Sequence, residues 1–96
     1  MSKAWPFADP ENVAVITLKR ILSGNSSILY VAHDDEDGAW EFLDGDGFAL
    51  QDAALVSLKH VTNLDPSIIE LADLPYGWQA QRDTRQGSWT RTRISD

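Results

Sequence analysis

Residues 28 to 43 constrain the fold of this chain more than any other stretch. Ile28-Leu29-Tyr30-Val31-Ala32-His33 reads as a strand, Asp34 to Gly38 as a polar turn, and Ala39-Trp40-Glu41-Phe42-Leu43 as the returning strand of a hairpin. In the returning arm Trp40 and Phe42 fall on one face and Glu41 and Leu43 on the other, the period of two that a half-buried strand requires. Asp44-Gly45-Asp46-Gly47 ends the arm with residues that tolerate positive φ.

The flanking segments extend this hairpin into a sheet. Val13-Ala14-Val15-Ile16-Thr17-Leu18 is rich in β-branched residues and predicts a first strand, the apolar run continuing through Ile21 and Leu22, with a helical turn over Leu18 to Leu22 as the alternative. Before it, residues 1 to 12 read as an irregular lead-in whose Trp5 and Phe7 tuck onto the core. Downstream, Asp52 is placed to cap a helix whose apolar positions Ala54, Leu55, Leu58 and Val61 recur at helical spacing, with an end near Asn63.

Asp65-Pro66 is a stronger start signal. The carboxylate accepts free N–H groups of the first turn and Pro fits the first helical position, so a second short helix runs from Pro66 to about Asp73, before Pro75. Removing such a cap costs about 1 kcal/mol. Gly77 to Arg82 and Ser88 to Arg93 then form a terminal hairpin around a polar turn.

The expected architecture is therefore α+β in the order β-β-β-α-α-β-β. An antiparallel sheet of about five strands carries one or two helices, inserted between the third and fourth strands, on one face. At 96 residues with 43% apolar content, one domain with one core is expected. Trp40, Phe42, Trp78, Leu55 and Leu58 are its predicted members.

Charge narrows the possible partners. The net charge of −7 argues against general nucleic-acid binding, which needs clustered Lys and Arg, and favours a basic protein partner. Residues 21 to 58 hold no Lys or Arg but contain Asp34, Asp35, Glu36, Asp37, Glu41, Asp44, Asp46 and Asp52, whereas Arg82, Arg85, Arg91 and Arg93 crowd the end. The chain has no Cys, which removes disulfides and thiolate zinc sites and fits a reducing, cytoplasmic setting. No apolar run reaches the ~18 residues of a membrane span. Self-association into a homo-oligomer stays open.

Candidate chemistry is sparse. His33 beside Asp34 to Asp37 offers ligand types suited to a divalent metal, yet consecutive side chains diverge, and a solvated turn explains them as well. Asp44-Gly45-Asp46-Gly47 opens like a calcium loop, but the twelfth position, where an acid is needed, is Leu55. Ser26, Ser27, His33 and His60 stand in no nucleophile context, and no phosphate-binding or zinc-protease motif occurs. No catalytic residue, metal or cofactor is assigned. Trp40, Trp78 and Trp89 could stack on a ligand but suit core packing better. Arg82, Arg91 and Arg93 would make one stripe on the terminal hairpin, available to a partner's acidic patch or to the chain's own acidic middle.

Several segments together resemble a known family. They are Asp35-Glu36-Asp37-Gly38-Ala39-Trp40-Glu41-Phe42-Leu43-Asp44-Gly45, Val56-Ser57-Leu58, Leu64-Asp65-Pro66-Ser67-Ile68-Ile69-Glu70-Leu71, Leu74-Pro75-Tyr76-Gly77 and Ala80-Gln81-Arg82. In these marks the chain is similar to a family of small bacterial proteins of unknown function, some of whose relatives are classed as immunity proteins of polymorphic toxin systems. The resemblance covers roughly residues 13 to 93 and carries no catalytic residue. It implies an immunity-like binding module, and the charge map, independently of the resemblance, supplies the candidate contact residues Asp34, Asp35, Glu36, Asp37, Glu41, Arg82, Arg91 and Arg93. The alternative is a small-molecule-binding or metal-dependent enzyme built around His33 and its neighbouring carboxylates.

Overall fold

The computed structural model describes residues 4–94; Met1, Ser2 and Lys3 of the expected lead-in, with Ser95 and Asp96, lie outside the described residues. The chain is α+β, with a mixed six-stranded sheet and few helices. Strand β1 (Ala14–Leu18) runs into a single helical turn, α1 (Lys19–Leu22), and the hairpin β2 (Tyr30–His33) and β3 (Trp40–Leu43) follows. A 3-10 turn (Leu50–Asp52) leads to β4 (Ala53–Ser57), helix α2 (Leu58–Leu64) and a 3-10 helix (Pro66–Leu71). The terminal hairpin is β5 (Trp78–Gln81) and β6 (Thr90–Arg93).

The strands lie in the order β4-β1-β3-β2-β5-β6. Both expected hairpins form, with His33 opposite Trp40 in the first and Trp78 opposite Arg93 in the second. The sheet is not purely antiparallel, because β1 runs parallel to β3, Ile16 beside Glu41.

The main correction concerns residues 53 to 57, which form a strand rather than the first turns of a helix. All five pair antiparallel with β1, from Ala14 opposite Ser57 to Leu18 opposite Ala53. Without β4 the outer edge of β1 would leave its N–H and C=O groups unpaired, so ladder formation outweighs the modest helical preference of Ala-Ala-Leu. Asp52 consequently caps no α-helix; its carboxylate accepts from the Ala49 N–H across the 3-10 turn at 2.9 Å. Helix α2 starts at Leu58 instead, where the Ser57 hydroxyl accepts from the His60 N–H at 3.1 Å. Leu55 points away from the core and is 71% exposed, whereas Leu58 is fully buried.

The helical layer covers one face of the sheet. Leu58 and Val61 of α2, Ile68 and Leu71 of the 3-10 helix, and Leu74 after it join Val15, Val31, Trp40, Phe42 and Ala80 in a single core. The lead-in closes one end as expected. Phe7 is buried edge-on to Trp40, Trp5 packs against Phe7, and the Asp9 carboxylate accepts from the Trp40 Nε1–H at 2.8 Å. Trp78 lies at the margin, half-buried. No helix among the described residues is long and apolar enough to cross a membrane.

Candidate functional site

Among the described residues, no helix lies over the opposite face of the sheet. Alternation along the strands turns Ile16, Tyr30, Glu41, Leu43 and Leu55 to this open side. Phe48 and Leu50, from the connection between β3 and β4, border it and are 44% and 90% exposed. Together Ile16, Glu41, Leu43, Phe48, Leu50 and Leu55 line a groove of about 390 Å³. A second depression adjoins it, lined by Tyr30, Gly45 and Asp46 and sharing Glu41, Leu43 and Phe48 with the first. The groove is largely apolar around the shared Glu41, and the adjoining depression adds the Tyr30 hydroxyl and the Asp46 carboxylate.

Glu41 stands at the junction. Its half-exposed carboxylate forms none of the ion pairs found among the described residues. Burial against the apolar surroundings raises its pKa above the ordinary glutamate value, and the negative charges of Asp34 and Asp37 raise it further. Burial, followed by the Glu41 charge, raises the Tyr30 pKa too, and the Tyr30 hydroxyl donates to the Gln79 side chain.

The acidic turn lies next to this face. Gly38 closes the hairpin at φ +72°, a left-handed conformation that other residues adopt at a cost. Asp34 and Asp37 fold back onto the backbone, accepting from the Glu36 N–H at 2.7 Å and the Ala39 N–H at 2.9 Å. Asp35, Glu36 and Asp37 are exposed and Asp34 is partly so.

Among the described residues, the arginines of the basic end form no ion pair with these carboxylates. Arg91 donates to the Glu70 carbonyl and to Asp73, each at 2.8 Å, and Arg85 to the Leu64 carbonyl at 2.9 Å. Arg20 holds Asp44 in a two-point pair at 2.6 and 2.9 Å, and this bonding keeps the Asp44 carboxyl well below the usual aspartate range. Ser26 also donates to Asp44, so the Asp-Gly-Asp-Gly segment is a turn closed by arginine and serine.

Arg82 departs most from the sequence reading. It does share a sheet face with Arg91 and Arg93, but that face is the one beneath the helices. Its side chain is 1% exposed, bonded to Asp65 at 2.8 Å, to the Ile28 carbonyl through two nitrogens and to the Ser67 hydroxyl, with the guanidinium 4.0 Å from the Trp89 ring centre. It is a structural residue and not a contact surface. Arg93 remains exposed on β6.

His33 is also withdrawn from the surface. It is 6% exposed, stacked 3.8 Å from Trp40 with Tyr76 edge-on, and its Nδ1 lies 2.7 Å from the Leu74 carbonyl, which as a pure acceptor places the proton on Nδ1. No three His, Asp or Glu side chains converge to hold a metal among the described residues. Trp40 and Trp89 are engaged within the molecule, by His33 and Arg82.

The open-face groove is hidden in the sequence because a helical reading of residues 53 to 57 puts Leu55 in the core, whereas Leu55 is 71% exposed. The period-two pattern of β4, with Leu55 between the partly buried Ala54 and Val56, is the signal that would have found it. Comparison of the chain with protein-family models, with curated proteins and with solved structures finds no match.

Proposed function

We propose that this chain is a non-catalytic protein-binding module that docks a basic partner, immunity-like in the sense its sequence resemblance implies, in a cytoplasmic setting. One observation carries the reading. Asp34, Asp35, Glu36, Asp37 and Glu41 are left without an arginine or lysine partner among the described residues, while Arg20, Arg82, Arg85 and Arg91 are engaged elsewhere within the fold. Uncompensated negative charge of this kind steers a basic protein toward the face that carries it. The alternative centred on His33 has less support, since that ring is closed in by Trp40, Tyr76 and the Leu74 carbonyl.

The test is kinetic. A partner captured from the native organism is bound to the wild-type chain and to a variant with Asp34, Asp35 and Asp37 changed to Asn and Glu36 to Gln. The variant should associate more slowly and with a flatter salt dependence, because exposed charges act chiefly on encounter. Equal association rates with equal salt response would remove the acidic turn from the docking surface.

A further inference from the structure

The open face supplies a second and sharper recognition element. We propose that the paired depressions around Glu41 receive a partner segment in which a Lys or Arg stands between apolar side chains, with the apolar groups in the groove and the cation against Glu41. This rests on the basic-partner reading above and specifies what that partner must present.

Three features of the site select this occupant. The first depression exposes Leu50, Leu55 and Phe48 together, and apolar side chains grouped this way on an open sheet face mark a contact surface more often than scattered exposure does. The second adds Tyr30 and Asp46 and shares Glu41 with the first, so a cation and an apolar group can be bound side by side. Glu41 itself is an unpaired, half-buried carboxylate among the described residues, and its charge is opposed by its surroundings and by Asp34 and Asp37. A partner's cation would relieve that cost, and a neutral apolar segment would worsen it by removing water.

The same charges count against the other occupants. A second copy docking through this face about a two-fold axis would bring like patches together, Glu41 and Asp46 included, and no Lys or Arg is among the residues that line either depression. An anionic lipid surface or a nucleic-acid backbone would meet the same repulsion.

Three acetylated and amidated heptapeptides test the proposal against the full-length chain by NMR titration at low salt: SLRLRLS, SLQLQLS and SRSRSRS. The first should shift resonances of Ile16, Leu43 and Leu55 and bind roughly tenfold more tightly than SLQLQLS, about the worth of one partly desolvated charge pair, and roughly tenfold more tightly than SRSRSRS, which has the charge but no apolar groups for the groove. Glu41→Gln should remove most of the preference for Arg over Gln, the acidic turn supplying the remainder, and Leu55→Ser should weaken SLRLRLS while leaving SRSRSRS unchanged. Leu55 is exposed, so its variant folds, and circular dichroism checks both proteins.

Should SLRLRLS and SRSRSRS bind equally, with shifts confined to residues 34 to 37, the groove inference fails while acidic docking stands. If no cationic peptide binds at all, the basic-partner reading fails with it. Sedimentation showing a dimer that Leu55→Ser dissolves would assign the groove to a second copy and overturn the inference.

Discussion

Substituting Asp65 tests whether the buried charge network or the helix cap dominates at the centre of the fold. From the sequence Asp65 is a cap worth about 1 kcal/mol. In the structure one carboxylate oxygen does accept from the Ser67 N–H at 3.1 Å and from its hydroxyl at 2.6 Å, while the other meets Arg82 at 2.8 Å. Both partners are buried, Asp65 at 8% and Arg82 at 1% side-chain exposure. Breaking a buried pair by removing one member typically costs about 3–5 kcal/mol, since the survivor's charge is left in a low-dielectric site. Asp65→Ala should therefore cost ~4 kcal/mol or more, against a total stability on the order of 5–10 kcal/mol for a domain of this size.

Arg82→Met should cost less, near the lower end of that range. Asp65 would keep its Ser67 bonds, and the Arg85 guanidinium already stands 3.9 Å away with freedom to approach. The double variant should lose well under the sum of the two, because neither lone charge remains. Urea denaturation of the four proteins measures all three quantities. A cost of only about 1 kcal/mol for Asp65→Ala, or additive costs in the double variant, would show that capping accounts for Asp65 and that the ion pair adds nothing.

Three further outcomes follow from placement and charge. Leu58→Ala should cost about 2–5 kcal/mol while Leu55→Ala stays within about 0.5 kcal/mol, a contrast in urea midpoints that the helical reading of residues 53 to 57 would not produce. Asp44, whose folded-state pKa is depressed by Arg20, contributes stability that is complete above its ordinary range and is lost as pH falls below about 4. Urea midpoints of wild type and Asp44→Asn should thus differ at pH 7 and converge in strong acid. Glu41 has the opposite sign: its raised pKa makes the folded state lose stability as pH rises through the carboxylate range, so Glu41→Gln should raise the midpoint at pH 7 and have no effect well below pH 4.

Much of the fold was legible because its signals are local. Turn chemistry and alternation located both hairpins, and Asp65-Pro66 located the second helical segment, although it winds as 3-10 rather than α. Residues 53 to 57 read as helix in the sequence because two periods coexist there. Ala54, Leu55, Leu58 and Val61 satisfy helical spacing, while Ala54 and Val56 alternate with Leu55 as in a strand. What decides between them is the unpaired edge of β1, some 40 residues earlier in the chain, and no window on the local sequence contains it. The parallel pairing of β1 with β3 escapes for the same reason.

The candidate site was half legible, and the missing half follows from the misread strand. Composition placed the acidic turn and Glu41, but proximity in sequence said nothing of which arginines would answer them. Arg82 and Arg91 serve the 3-10 helix and the residues just after it on the covered side, and no ion pair among the described residues includes the acidic turn or Glu41. Once Leu55 turns outward with β4, those charges acquire an apolar groove beside them, and Glu41 becomes the residue where the two meet. A half-buried carboxylate with no cation beside it among the described residues, next to exposed leucines that contribute little to the core, is a combination that folding alone would not favour. Stability rising on Glu41→Gln while affinity for the arginine-bearing peptide falls would show that the residue serves recognition at the expense of the fold; a loss of both would return it to a structural role.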